Sequence, residues 1–407
     1  MTRGTHPVDA AELGDRIAAF DISGVQRERI MTIDAADPVD ALVAALASRE
    51  AGGIPLVCDE RWPADYRTAL DQLVASSEPQ PGIGWATSTS GSSGAPRVIL
   101  RSEDSWSASF PAVGALLDLA AADVVYLPAP LSASMSLFSA AHARAAGAGL
   151  VVTTGHVVDA LRSATVMHGT PFALGAVVDA IDGGAPHRMR AALVGGARLD
   201  PHLRARAEAL GIRVVSYYGA AELSFAAVDI DGRGLRPFPG VELRREGDEL
   251  WVRSDYVASG YLGEATGSLR RDAAGWATVG DLVADGESGA LNLVGRRDGA
   301  ILTAAATVVP EEVEAALRSI PGVLDAVVFA VPNAGVGALV GAVLETAGRG
   351  ARPSLSEVRE RARGIVAPSH LPRRWFHTER LDRTASGKPA RSRIGADALE
   401  GRIERYE

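Results

Sequence analysis

Short apolar runs alternate with helical segments between residues 37 and 217, and this alternation constrains the fold more than any other feature. Runs such as Ile54–Cys58 are typical of buried strands. Asp37-Pro38 and Asp200-Pro201 each predict the start of a helix, with an aspartate cap and a proline in the first turn. Residues Ser102–Leu119 are predicted to form one helix. Strands that alternate with helices favour an α/β fold.

The pattern changes after Gly240, where apolar and polar side chains begin to alternate. This segment contains Gly247-Asp248, a dipeptide that favours a β-hairpin, and it therefore predicts an antiparallel β unit. A second break follows at residues 295–299. With 407 residues, the chain is long enough for two or three units.

These breaks predict a large N-terminal domain over residues 1–296 and a small C-terminal domain over residues 297–407. The large domain combines layered α/β subdomains with the β unit. The small domain has an α+β pattern, and its first helix begins at Pro310, ahead of Glu311 and Glu312.

Charge and cysteine content exclude several classes of protein. Acidic side chains outnumber basic ones by 50 to 41, and no basic tract is present, which disfavours a nucleic-acid partner. A single cysteine, Cys58, excludes disulfide frameworks and cysteine-rich zinc sites. The uncharged stretch Ala326–Leu344 is interrupted by Pro332 and Asn333, so it predicts two buried strands joined by a turn. Residues 1–20 do not have the pattern of a secretory signal, and we expect a soluble cytoplasmic protein.

Lys388 is the single lysine of the chain, and every other basic side chain among the 41 is arginine. It follows Arg383-Thr384-Ala385-Ser386-Gly387, a composition typical of an exposed loop. An ammonium group is a compact charge, whereas guanidinium is a wide planar fork. The lone lysine therefore indicates a narrow site that must place one cation between oxygens.

Residues Thr89–Arg97 read Thr-Ser-Gly-Ser-Ser-Gly-Ala-Pro-Arg and join two strand-like runs. Glycines and small hydroxyl residues let successive backbone N–H groups turn toward an anion. The spacing is not that of a Walker loop. On composition alone, a flexible turn is the alternative interpretation.

Two further segments offer groups suited to a nucleotide. Tyr218 presents a flat face for a base, and Glu222 is a hard oxygen ligand for magnesium. Asp281, after the turn residue Gly280, can accept hydrogen bonds from ribose hydroxyls, and Arg296 can support it. Taken singly, these residues are more typical of a core tyrosine, a solvated glutamate and turn residues.

In this order and spacing, the segments resemble the adenylate-forming superfamily of acyl-CoA synthetases, peptide-synthetase adenylation domains and luciferases. Thr89–Arg97 is similar to its Thr-Ser-Gly-Ser-Thr-Gly-x-Pro-Lys loop, and Tyr218–Glu222 to its Tyr-Gly-x-Thr-Glu motif. Gly280-Asp281, Gly295-Arg296 and Lys388 match the remaining landmarks. The short segment before the loop resembles small members, such as o-succinylbenzoate-CoA ligases and the aryl-acid adenylating enzymes of siderophore pathways.

The resemblance implies a two-step ligase. ATP and Mg²⁺ would convert an acyl or aryl acid to acyl-AMP and pyrophosphate, and the acyl group would pass to a thiol. That thiol would belong to CoA or to the phosphopantetheine of an acyl or aryl carrier protein. The small C-terminal domain would be mobile, rotating between the two steps about a hinge at Asp298.

The resemblance also implies residue roles. Lys388 and Glu222 would be catalytic, with Lys388 between the carboxylate and the α-phosphate and Glu222 on magnesium. The substrate pocket would involve Ala133, Gly195 and Gly219. The nucleotide would be bound by Thr89, Ser90, Gly91, Ser92, Ser93, Gly94, Arg97, Gly196, Ala197, Tyr218, Gly219, Asp281 and Arg296.

Several positions depart from the family pattern. Arg97 replaces the loop lysine, Ala221 the threonine before the glutamate, and Ala133 a histidine or aromatic residue. Ala305 replaces the glycine that lines the thiol tunnel. Two alternatives therefore remain: transfer of the adenylate to an amine or another nucleophile, or a nucleotide-binding pseudoenzyme, which Lys388 disfavours.

The eight histidines include no His-Glu-x-x-His pair, and the chain contains no Gly-x-Ser-x-Gly elbow. His142, His168 and His202 are predicted to lie on helix or loop surfaces rather than to bind a ligand.

Overall fold

The protein is described from a computed structural model. The structure describes residues 7–62, 64–89, 96–152, 157–263, 267–286, 289–296, 299, 301–302, 307–333, 337–346, 352–368, 370–384 and 387–406. Within those ranges, no helix is long and apolar enough to cross a membrane.

Most predicted helices are present in the structure. Asp37 and Asp200 each accept hydrogen bonds from first-turn N–H groups, which confirms both predicted starts. The prediction of one helix over residues 102–119 was wrong. Two helices occur there, because Pro111 lacks the N–H that would continue the helical hydrogen bonds. The helices in the described ranges are α1 Ala10–Ala18, α2 Pro38–Glu50, α3 Ala64–Ala75, α4 Asp104–Ser107, α5 Phe110–Leu117, α6 Ser134–Ala146, α7 Val157–Leu161, α8 Pro171–Asp182, α9 Pro201–Ala209, α10 Pro310–Arg318, α11 Leu355–Ile365 and α12 Arg391–Leu399.

The strands form one large sheet, an antiparallel β unit, a C-terminal sheet and three small sheets. Those in the described ranges are β1 Pro7–Val8, β2 Ile30–Ile33, β3 Ile54–Val57, β4 Trp85–Thr89, β5 Arg97–Arg101, β6 Val124–Leu127, β7 Gly149–Val152, β8 Val166–Gly169, β9 Ala191–Val194, β10 Arg213–Ala220, β11 Ser224–Asp229, β12 Arg236–Pro237, β13 Glu242–Glu246, β14 Glu249–Arg253, β15 Gly260–Tyr261, β16 Arg270–Arg271, β17 Ala277–Thr278, β18 Asp281–Asp285, β19 Leu291–Arg296, β20 Ile301–Leu302, β21 Thr307–Val308, β22 Val323–Asn333, β23 Gly337–Thr346, β24 Arg374–Thr378 and β25 Glu404–Arg405.

The large sheet has the order β1-β7-β6-β8-β9-β10-β11-β12. Its central strands β7, β6, β8, β9 and β10 are parallel. Val125 and Leu127 of β6 pack into one apolar core with α6, whereas Tyr126 packs into a second core with α8. Since both faces are covered, the strands are apolar along their length. The predicted α/β class is confirmed.

The β unit after Gly240 is also present. Strands β13 and β14 pair antiparallel around Gly247-Asp248, with Glu246 opposite Glu249. They join β16, β17, β18 and β19 in one sheet. A separate sheet, in the order β15-β5-β4, brings β15 against the strands that flank the predicted phosphate loop.

The C-terminal region has its own sheet, in the order β22-β23-β24-β25. Strands β22 and β23 are antiparallel and largely buried, which confirms the interpretation of residues 326–344 as strands. The first helix begins at Pro310 as predicted. Apolar clusters of this region contain only residues 301–406. The domain boundary at residue 296 stays a prediction.

Candidate active site

The predicted phosphate loop is described only at its two ends. Residues 90–94 fall outside the described residues. Thr89 ends β4 and Arg97 begins β5, and the two residues pair directly across the antiparallel ladder. The two ends of the predicted loop are therefore fixed opposite each other by the β4–β5 pairing.

The predicted magnesium ligand lies beside this hairpin. Glu222 is buried, and one of its carboxylate oxygens accepts a hydrogen bond of 2.9 Å from the Tyr261 hydroxyl. Burial and the nearby Glu222 charge raise the pKa of Tyr261 to about 12, so this phenol stays a donor at neutral pH. The Arg97 guanidinium lies 5.9 Å from the centre of the Tyr261 ring. Tyr261, absent from the prediction, thus connects Arg97 with Glu222.

Arg101 supports the turn that carries Glu222, and the sequence prediction missed it. Its side chain is only 1% exposed. It donates hydrogen bonds of 2.7 Å to the carbonyl oxygens of Ala221 and Tyr256. Burial lowers the pKa of Arg101 to about 9, and the Glu222 charge opposes that shift. A charged residue within the apolar run of β5 was the available signal.

The predicted base and ribose residues meet across two sheets. The Tyr218 hydroxyl donates a hydrogen bond to the Asp281 carboxylate, and both side chains are buried. Gly280 adopts φ +82°, so the turn before Asp281 suits glycine. Asp281 and Arg296 are partners in the β18–β19 ladder, and the Arg296 side chain lies outside the described residues. Tyr218 lies within β10, which spans Arg213–Ala220.

The lone lysine lies against the turn that follows β9. A Cβ built on Gly196 would be 3.0 Å from Cε and 3.5 Å from Nζ of Lys388. Gly196 also adopts φ +84°, which favours glycine. The next residue, Ala197, is exposed. The structure therefore brings the predicted catalytic cation to the carboxyl end of the parallel sheet, where α/β folds place ligands.

A hairpin within the C-terminal region presents Lys388. The Thr384 N–H donates to the Lys388 carbonyl, at 2.7 Å. Arg383 pairs with Asp325 at 2.8 Å and with Glu345 at 3.2 Å, which ties the hairpin to β22 and β23. The Arg383 guanidinium also lies 4.8 Å from the centre of the Phe172 ring, on α8 of the large region.

The predicted substrate-pocket residues have different surroundings. A Cβ on Gly195 would lie 2.2 Å from the Tyr217 ring, so glycine makes room for that side chain. A Cβ on Gly219 would lie 1.9 Å from the Ser224 carbonyl oxygen, because β10 and β11 are irregularly paired there. Ala133 is half-buried directly before α6. Asp298 and Ala305 fall outside the described residues.

Two of the three histidine predictions were wrong. His142 and His168 are buried, whereas His202 is exposed as expected. Burial lowers the pKa of His142 to about 4 and that of His168 to about 3, and both rings are therefore neutral near pH 7. The large sheet is covered on both faces, so histidines on α6 and β8 have no surface to reach.

Family models match two parts of the chain. The model described as AMP-binding enzyme matches residues 87–262. The model described as AMP-binding enzyme C-terminal domain matches residues 312–388 and ends at the lone lysine. The first range contains every described candidate-site residue from Thr89 to Tyr261, and the second range contains Lys388.

Individual proteins are similar over most of the chain. An uncharacterised acyl-CoA ligase of Bacillus subtilis, YhfT, is 26% identical over 367 residues, covering 84% of this chain and 74% of its own. The ATP-bound MatB structure from Rhodopseudomonas palustris has a TM-score of 0.80 at 19% identity, covering 98% of this chain and 97% of its own. The amide bond synthetase McbA from Marinactinospora thermotolerans has a TM-score of 0.78 at 22% identity, covering 95% and 94%.

The structural similarities, at these identities, establish the fold. The two family models together match more than half of the chain and include both ends of the candidate site. The chain therefore belongs to the AMP-binding enzyme family, the adenylate-forming superfamily whose curated relatives include acyl-CoA ligases.

Proposed function

We propose that this protein activates a carboxylic acid with ATP, releases pyrophosphate, and passes the acyl group from acyl-AMP to the thiol of CoA. The observation that carries this proposal is the contact between Lys388 and Gly196. It brings the single lysine of the chain, from the C-terminal region, to the ligand-binding edge of the large sheet.

Lys388 supplies the charge that the first step requires. Attack of a carboxylate on the α-phosphate brings two anions together, and negative charge builds up in the transition state. A compact ammonium group fits the gap beside Gly196, where a Cβ would lie 3.0 Å from the lysine Cε. A guanidinium group is wider and would not reach the same position.

Tyr218 and Asp281 are suited to the nucleoside. The hydrogen bond between them orients the phenol ring and holds the carboxylate near its edge. A ring so fixed offers a flat face to adenine. Asp281 accepts from ribose hydroxyls, and Arg296 is its neighbour across the β18–β19 ladder.

Glu222 is suited to Mg²⁺ bound together with the nucleotide. One carboxylate oxygen accepts from Tyr261, and the second has no hydrogen-bond partner among the described residues. Mg²⁺ usually takes one or two carboxylates plus substrate phosphates. In the described part of the chain no group of three acidic, histidine or cysteine residues could hold a metal alone. When bound, the ion neutralises phosphate charge.

The acyl acceptor distinguishes the remaining possibilities. CoA is the acceptor in the name of the curated relative YhfT, and a carrier-protein phosphopantetheine offers the same thiol. Transfer to an amine is the second candidate, because Ala305 narrows the position where the family has glycine. A thiol-dependent product supports the first possibility, and an amide formed without thiol supports the second.

The test is ATP–pyrophosphate exchange across fatty, aryl and dicarboxylic acids, with Mg²⁺. We expect exchange with one class of acid, reduced about 10²–10³-fold by Lys388→Ala. Arg393→Ala is the matched control, because Arg393 is a largely exposed cation of the same region. Measurable ATP binding without exchange for any acid would overturn the proposal.

A further inference from the structure

Three hydrogen-bonded polar side chains, Ser139, His168 and Tyr217, form a relay in the large region next to Gly195. The Ser139 hydroxyl, on α6, is hydrogen-bonded to Nδ1 of His168, on β8. The Nε2 atom of His168 lies 2.9 Å from the hydroxyl oxygen of Tyr217, on β10. Ser139 and His168 are each 3% exposed, whereas Tyr217 is only partly buried. The three hydrogen-bonded groups therefore link α6, through β8, to Tyr217 on β10.

The Tyr217 end borders the predicted acid pocket. A Cβ on Gly195 would lie 2.7 Å from the Tyr217 hydroxyl oxygen. Gly196, the next residue, contacts Lys388. The hydroxyl thus lies beside the turn at which the carboxylate would react.

Counting protons shows what Tyr217 offers. A neutral histidine has one N–H, and the serine and tyrosine each have one O–H, so three protons serve two hydrogen bonds. Burial lowers the pKa of His168 to about 3, which keeps the ring neutral. If Nδ1 carries the ring proton, the Ser139 proton is left over. If Nε2 carries it, the Tyr217 proton is left over.

Position decides between the two arrangements. Neither hydroxyl has another hydrogen-bond partner among the described residues. An unsatisfied donor in the core costs about 1–3 kcal/mol, and only the Tyr217 hydroxyl, beside Gly195, borders the predicted acid pocket, where a bound acid could accept its proton. The favoured arrangement has Ser139 donating to Nδ1 and Nε2–H donating to Tyr217. The Tyr217 O–H is then directed away from His168.

We propose that the Tyr217 hydroxyl donates a hydrogen bond to the bound acid, and that the substrate carries a carbonyl or hydroxyl oxygen in its acyl part. This rests on the proposed function. All three groups of the relay are neutral, so an uncharged oxygen suits the position better than a second carboxylate, which would be buried there without an opposite charge. Ser139 acts as a positioning residue, because it sets the direction of the proton without touching the acid.

The first experiment measures the histidine tautomer directly. In protein labelled with ¹⁵N-histidine, the ring nitrogen shifts report which nitrogen carries the proton. We expect His168 with its proton on Nε2, and Ser139→Ala identifies the signals by altering them. Ser48→Ala is the matched control, because Ser48 is fully buried and bonded to a backbone carbonyl of α2. A wild-type ring protonated on Nδ1 would overturn the proposal.

The second experiment measures selectivity by pyrophosphate exchange with matched acids: pentanoate and 4-oxopentanoate, hexanoate and 5-oxohexanoate, phenylacetate and 4-hydroxyphenylacetate. We expect the oxygenated member of one pair to be preferred. Tyr217→Phe should reduce that preference about tenfold, as expected for one hydrogen bond. Ser139→Ala should reduce it as well, and Ser48→Ala should not.

The outcomes separate this inference from the proposed function. Preference for the plain acids, or a preference unchanged in Tyr217→Phe, would overturn the assignment of Tyr217. Absence of exchange with every acid would overturn the proposed function, and the His168 tautomer would still decide whether Tyr217 is the donor.

Discussion

The large region and the C-terminal region contribute to the site in different ways. In the large region, Tyr218 bonds to Asp281 and Tyr261 bonds to Glu222, and these pairs connect separate sheets. Their geometry is fixed by burial and by partners within the same region. The residues predicted to bind the nucleotide are therefore held together within the fold of the large region.

The C-terminal region instead delivers one cation. Arg383 anchors the Lys388 hairpin to its own sheet through Asp325 and Glu345. Toward the large region, the described contacts include close packing on Gly196 and a cation–π contact with Phe172. Such contacts are weaker than buried ion pairs and can be broken and remade, as a domain that rotates between two steps requires.

The largest effect is expected where the two regions touch. Lys388→Arg keeps the charge, but a planar guanidinium fork cannot place it as one compact cation between the reacting oxygens, so adenylation should fall about 10²-fold. Gly196→Ala strains the turn that packs against Lys388, because Gly196 adopts φ +84° and the lysine Cε would have to shift from a Cβ at 3.0 Å. Pyrophosphate exchange measures both. Wild-type activity in Lys388→Arg would show that shape does not explain the lone lysine.

Arg101 tests whether the large region is preassembled. Arg101→Met leaves the Ala221 and Tyr256 carbonyls without their donor, and should destabilise the large region by about 3 kcal/mol. Urea unfolding measures the loss, and Arg393→Ala, exposed in the C-terminal region, provides the control. Equal stability of Arg101→Met and wild type would contradict the supporting role assigned to Arg101.

Acid should affect the large region through its buried histidines. The folded-state pKa of His142, about 4, lies below its ordinary value of 6.5, so the unfolded chain binds the proton more readily. Stability is therefore full above pH 6.5 and falls as the pH drops toward 4. At pH 5, the titration of His142 alone lowers the free energy of unfolding by about 2 kcal/mol relative to neutral pH.

His142→Gln provides the comparison, because glutamine does not titrate. Urea unfolding of wild type should weaken more than that of His142→Gln between pH 7.5 and pH 5. Parallel losses in the two proteins would show that His142 is not protonated on unfolding.

The smallest effect is expected for Phe172. Phe172→Ala removes the ring that the Arg383 guanidinium contacts, and adenylation should fall about two- to fivefold, as for a cation–π contact with an exposed ring. Transfer from preformed acyl-adenylate to CoA should not change, because the predicted rotation of the C-terminal region would separate Arg383 from Phe172 in that step. Phe172→Leu is the conservative control. Equal loss in both half-reactions would point to general damage.

Much of the fold was predictable because local sequence patterns mark where helices and turns begin and which side chains are buried. Asp37 and Asp200 cap the predicted helices, and the hairpin at Gly247-Asp248 forms as expected. The prediction of a single helix over residues 102–119 was wrong because Pro111 interrupts the helical hydrogen bonds. His142 and His168 were predicted to lie on the surface because histidine is polar. The sequence alone does not show the sheet and helices that bury them.

The sequence by itself determined the family, through motifs whose order survives in the chain and through a lysine that arginine did not replace. Only the tertiary structure decided the partners. Tyr218 and Asp281 are 63 residues apart, Arg101 and Ala221 are 120 apart, and Lys388 meets Gly196 across two regions. The periodicity of the sequence specifies which face of a helix or strand is buried. The arrangement of the sheets decides which residue each buried group contacts, because hydrogen bonds between distant residues leave no local sequence pattern.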